Sequence, residues 1–135
     1  MIYLKLFESF GYREIRFEEI DNWETSRIRE PITSREMKLL KGEIEKSGKE
    51  VEFIYTDEST IDLIIKNDID LSENESGISV HICKYEDDYF MLSLISVYKS
   101  NDSKDWDSHP MDSSTDYICD EIDGVISALK NTFNI

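Results

Sequence analysis

From Val51 onward the apolar residues of this chain recur at every second position, and that period restricts the possible folds more than any other feature. Residues 51–55 and 61–65 are rich in β-branched and aromatic side chains, with the polar run Asp57-Glu58-Ser59-Thr60 between them. Residues 78–85 alternate, Ile78, Val80 and Ile82 standing opposite Ser79, His81 and Cys83, and Glu86-Asp87-Asp88 separates them from residues 89–98. A period of two puts alternate side chains on opposite sides of a pleated strand, and short polar breaks suit hairpin turns. The pattern predicts two hairpins of an antiparallel meander.

Helical signals flank this region. Thr33-Ser34-Arg35-Glu36 has the layout of a capping box, in which hydroxyl and carboxylate satisfy each other's free amides. Pro31 disfavours helix just upstream, and Ile32 and Met37 stand where a hydrophobic staple would close the turn. Met37, Leu40 and Ile44 follow at helical spacing, and Gly48 suits the C-terminal turn, which predicts a helix over 34–47. Near the other end, residues 116–119 read as a strand. Asp120 can cap a helix over 121–133 with Glu121 and Asp123 in its first turn and Ile122, Val125, Ile126 and Leu129 as its apolar stripe. Residues 1–10 read as a strand or docked arm ending at Gly11, and residues 12–17 as a strand. Residues 18–28 are ambiguous, with Ile20, Trp23 and Arg27 on one helical face. The expected fold is α+β: one domain over 1–135, an antiparallel β-meander sheet with the capped helix (34–47) and the C-terminal helix (121–133) packed on one face.

Charge separates the two parts of the chain. Acidic residues outnumber basic ones 30 to 15, for a formal net charge of −15. Residues 1–50 hold ten Lys and Arg against eleven Asp and Glu, whereas residues 51–135 hold five against nineteen. The imbalance predicts a strongly negative face that would steer a basic partner toward it. It argues against direct nucleic-acid binding, which needs a basic patch. An ordinary solubilising surface is the plainer explanation. No apolar run approaches the roughly 20 residues of a spanning helix, and no basic-then-apolar leader opens the sequence; a cytoplasmic location is expected.

Chemistry-bearing motifs are scarce. Asp68-Ile69-Asp70-Leu71-Ser72 begins like a calcium loop, but Glu73 replaces the glycine and Ser79 the bidentate glutamate. Asp105, Asp107 and His109 could ligate a transition metal, yet no second histidine cluster supports them, so no metal and no cofactor is expected. Cys83 and Cys119 fall in predicted strands of an acidic region, which favours buried, unreactive thiols; a disulfide requires the two strands to be neighbours. There is no glycine-rich phosphate loop, nucleophile elbow or paired CxxC, and a non-enzymatic protein is expected.

One block carries a resemblance. Residues Lys84-Tyr85-Glu86-Asp87-Asp88-Tyr89-Phe90, followed by Tyr117-Ile118-Cys119-Asp120-Glu121-Ile122-Asp123-Gly124-Val125, resemble small uncharacterised acidic proteins of phages and large DNA viruses, with their Tyr-x-Cys-Asp…Gly strand-to-helix motif. Lys5-Leu6-Phe7-Glu8-Ser9-Phe10 and Thr33-Ser34-Arg35-Glu36 fit the same pattern, and residues 99–115 depart from it as an insertion. The resemblance implies a viral source, hence the host cell cytoplasm, and a helix-on-sheet fold, with no catalytic residues.

The expected function is therefore that of a viral accessory factor that engages a basic host or viral protein surface. In its sharper form it is a nucleic-acid mimic that inhibits a host defence nuclease. The acidic face expected to make the contact comprises Asp57, Glu58, Asp62, Asp68, Asp70, Glu73, Glu75, Glu86, Asp87 and Asp88. The alternative is a structural or assembly component of a virus particle, held by apolar arms. Self-association of the basic helix face, with Lys38 and Lys41, against the acidic sheet of a second copy would give a homo-oligomer.

Overall fold

The computed structural model describes residues 11–67, 75–99, 105–108 and 113–133. The expected N-terminal arm, residues 1–10, lies outside them. Among the described residues, strands β1 (Tyr12–Ile15), β2 (Val51–Thr56), β3 (Thr60–Lys66), β4 (Glu75–Lys84), β5 (Tyr89–Lys99) and β6 (Thr115–Asp120) form one sheet in the order β1-β6-β5-β4-β3-β2. Every neighbouring pair is antiparallel. The fold is α+β, and β2 to β5 make the expected meander.

Alternation divides the sheet into two unlike faces. Ile61, Leu63 and Ile65, Val80 and Ile82, Phe90, Leu92 and Leu94, and Cys119 point to one side and are buried. Helices α2 (Ser34–Lys46) and α3 (Glu121–Phe133) cover them with Leu40 and Ile44 and with Ile122, Val125, Ala128 and Leu129. Close packing of this layer removes several large side chains from water, each contributing about 1.5–3 kcal/mol. The capping box of α2 is formed: Glu36 N donates to Thr33 Oγ1 and Thr33 N to Glu36 Oε1, at 3.2 and 2.9 Å. Lys130 of α3 reaches Glu43 of α2 at 3.0 Å and ties the helices together.

The strand expected over 12–17 stops at Ile15. Arg16 is still extended, and Phe17 begins a third helix, α1 (Phe17–Thr25), whose first turn carries Glu18 and Glu19 where the helix dipole favours negative charge. This helix lies on the opposite face from the other two. There Trp23 is buried with Ile15, Cys83, Tyr85, Met91 and Ile118, its ring edge-on to Tyr85 at 4.9 Å. Residues 28–32 carry the chain from that face to the other past the strand ends, bonding as they go: Glu86 N to Ile28 O, Glu30 N to Lys84 O, and Ile32 N to Glu58 O.

The entry to β1 is pinned against α3. Gly11 has φ of 74°, and Asp120 N donates to its carbonyl at 2.7 Å. A Cβ at Gly124 would collide with that same carbonyl oxygen, so glycine at 124 is what lets the helix start approach the β1 entry.

Candidate functional site

The structure brings together some of the acids singled out in sequence and separates others. Asp57 and Glu58 sit in the β2–β3 turn, and Glu86, Asp87 and Asp88 in the β4–β5 turn. Because Thr60 pairs with Cys83, both turns emerge at the same end of the sheet. Tyr89 pairs with Asp120 there, so Asp120 and the first-turn acids Glu121 and Asp123 join the group. Except for half-buried Glu86, all of these are exposed. Glu75 stands at the far end of β4, about 30 Å away at a strand rise of about 3.3 Å per residue, opposite Lys99. Asp62 lies in mid-strand on the face that α1 leaves open. Asp68, Asp70 and Glu73 lie outside the described residues.

Local chemistry fixes these turns. Asp87 and Asp88 have φ of 63° and 61°, the two successive left-handed residues of a tight hairpin, a conformation aspartate tolerates better than most side chains. Asp57 accepts from Ser59 N at 2.9 Å and from the Tyr55 hydroxyl at 3.0 Å, and the Ser59 amide above all holds its carboxyl below the usual range. Beneath the turns, buried Lys84 donates to buried Glu36 at 2.8 Å and stands 3.6 Å from Asp88. Burial opposes ionisation of Glu36, but the Lys84 and Thr33 hydrogen bonds outweigh it and hold the carboxyl below its ordinary value. A cleft of about 420 Å³ lies beside this pair, with Arg35, Glu121 and Asp123 on its rim.

The open face carries a second arrangement. Asp62, His81, Ser93 and Asp116 are register partners in one row across β3, β4, β5 and β6. His81 Nδ1 bonds Asp62 Oδ1, and its Nε2 lies 3.1 Å from Cys83 Sγ. Thr60 Oγ1 stands 3.6 Å from the same sulfur. Hydrogen bonding to Cys83 first, and to Asp62 second, outweighs burial and raises His81 to about 9, so the ring is protonated at neutral pH. Buried Asp116 accepts from Ser93 and Ser114. Beside the row, a cleft of about 580 Å³ has Ile54, Ile64, Val97 and His81 on its floor, and Trp106 closes it by donating to Glu52 at 3.1 Å.

Three expectations about chemistry can be placed. Among the described residues no three ligating side chains converge on one point; Asp62 and Cys83 meet opposite nitrogens of the His81 ring. Asp105 and Asp107 are described, and Asp107 pairs through its backbone with Tyr98, but His109 lies outside. Both cysteines are free, and a disulfide between them is ruled out: β4 and β6 flank β5, and the two thiols belong to opposite faces. Cys119 is buried as expected, its ionisation pushed up by burial alone. Cys83 is buried but partnered. Alternation already put His81 and Cys83 on one side of a strand, while the proximity of Asp62 required the β3–β4 register, which no local signal carries.

Comparison of the chain with protein-family models, curated proteins and solved structures finds no match.

Proposed function

We propose that this is a non-enzymatic protein that engages a basic protein surface through the acidic end of its sheet. The observation that carries this reading is the convergence of two hairpin turns and a helix start, which exposes Asp57, Glu58, Asp87, Asp88, Asp120, Glu121 and Asp123 at one end. Arg29, bridged to Tyr85, and Arg35, on the cleft with Asp88, Glu121 and Asp123, bring exposed positive charge to the same end, and Lys84 is buried against Glu36. Acids held on tight turns and on the first turn of a helix lose little freedom on binding. Their summed field speeds the encounter with a cationic surface more than it deepens affinity. In the sharper form of the proposal, the partner is a host defence nuclease, a viral source being what the sequence resemblance implies.

The test is recovery of bound proteins from a native host extract by wild type, by Asp57→Asn/Asp87→Asn/Asp120→Asn, and by Glu75→Gln at the far end. Asparagine preserves the turn geometry at 57 and 87. A partner should bind wild type and Glu75→Gln at about 50 mM salt, be lost at about 500 mM, and be lost from the triple variant at both, because salt screens exposed charges. Binding that survives high salt, or the triple substitution, removes the proposal.

One observation favours a second reading, assembly with another copy. Strand β2 is a sheet edge, and Phe53, Ile54 and Tyr55 along it are exposed. Two such edges can pair antiparallel about a twofold axis. Sedimentation would show a dimer that Ile54→Lys abolishes; a monomer at all concentrations rejects this reading.

A further inference from the structure

The geometry points to Cys83 as a peroxide-reactive thiol, with the His81 ring, held by Asp62, as the group that steadies the sulfur's anion and protonates the leaving hydroxide. Three observations support a reactive site. The sulfur is 3.1 Å from His81 Nε2, and the ring is oriented by Asp62 on its other nitrogen, the order carboxylate–imidazole–nucleophile that activates a thiol. The Thr60 hydroxyl lies 3.6 Å from the sulfur. The guanidinium of Arg29 hydrogen-bonds Tyr85, which is buried in the same cluster as Cys83, in a chain that is otherwise strongly negative. The setting also selects the reagent. Cys83 is 2% exposed and shares its cluster with Trp23, Tyr85, Met91 and Ile118, burial that shuts out a bulky carbon electrophile. The polar donors beside the sulfur are suited to oxygen atoms.

In the step itself the sulfur, deprotonated beside the His81 imidazolium with its proton released to solvent, attacks one oxygen of hydrogen peroxide. The S–O bond forms as the O–O bond breaks, and the departing hydroxide takes the proton from the imidazolium and leaves as water. Sulfur is oxidised to sulfenic acid and peroxide is reduced. The sequence has one other cysteine, Cys119, which faces the opposite side of the sheet, so the sulfenic acid has no internal thiol to condense with. A small external thiol reverses it: one equivalent forms a mixed disulfide with loss of water, and a second releases Cys83 as the external disulfide forms.

The experiment exposes reduced native protein to hydrogen peroxide, traps sulfenic acid with dimedone, and follows both cysteines by peptide mass. Cys83 should react roughly tenfold or more faster than Cys119, and faster in native protein than in the chain unfolded by guanidinium, where the contact with His81 is lost. His81→Gln and Asp62→Asn, at partly exposed positions, should each slow Cys83 about tenfold or more while Cys119 stays protected. Native Cys83 reacting more slowly than the unfolded chain overturns the proposal, as does a rate unchanged by both substitutions. The native-versus-unfolded comparison decides the matter even if a variant fails to fold.

Discussion

The two faces of the sheet bury a cysteine each, at 0% exposure for Cys119 and 2% for Cys83, and yet they give the two thiols opposite surroundings. Cys119 sits among Ile, Leu, Val and Phe side chains under α2 and α3, where burial alone acts on it. Cys83 borders the row of polar residues that α1 covers only in part, and its neighbours include an imidazole and a hydroxyl. Burial therefore does not determine whether a thiol is inert. The side chains that share its strand face do, because they supply or withhold the hydrogen bonds that a charged form needs.

The same contrast sets the expected responses to substitution. The largest loss should follow Phe90→Ala on the helix face, about 3–5 kcal/mol from lost burial and the cavity left behind. Ile95→Ala on the open face, where the side chain is half-buried, should cost about 1 kcal/mol; equal losses in urea titrations would break the contrast between the faces. Next comes the charged pair at the edge of the helix face. Lys84→Met strands the buried Glu36 carboxylate and should cost about 3 kcal/mol, most of it recovered when Glu36→Leu is added, as denaturant midpoints would show. Since the Glu36 carboxyl is held below its ordinary value, its contribution is fully present above the normal carboxylate range and is lost as pH falls through its lowered pKa. The smallest effect belongs to the open face. His81 is raised from 6.5 to about 9 by Cys83 and Asp62, with Glu52 and Asp105 across the cleft. Its contribution is complete below about pH 6.5 and disappears as pH rises through about 9. Midpoints compared at pH 6 and pH 9.5 should show a small decline, and His81→Gln should flatten it.

What could be read from the sequence was local. The Thr33 capping box, the hairpin turns and the alternation of Ile78, Val80 and Ile82 each depend on residues a few positions apart, and all are present in the fold. Helix α1 was ambiguous because its nine residues are mostly polar; Trp23 gains its place only by meeting Tyr85 and Met91, distant in the chain. The acidic turns were legible as turns, but their grouping was not. Glu75 and Asp62 share a sign with Asp57 and Asp87, while strand length and side-chain parity put them elsewhere. Thr60 beside Cys83 was missed for the same reason, since it arrives from a separate strand.

The contact between Gly11 and Gly124 bears on the order in which the molecule assembles. The hairpins from β2 to β5 close short loops, whereas β1 finds its partner only in β6, and joining Gly11 to the start of α3 closes a loop of nearly the whole described chain. Long closures gain their contacts late, so the meander should form the folding nucleus and β1 should dock after the rate-limiting barrier. A methyl group at position 124 would then leave the refolding rate almost unchanged and make the folded protein come apart faster, the behaviour of a clasp fastened last.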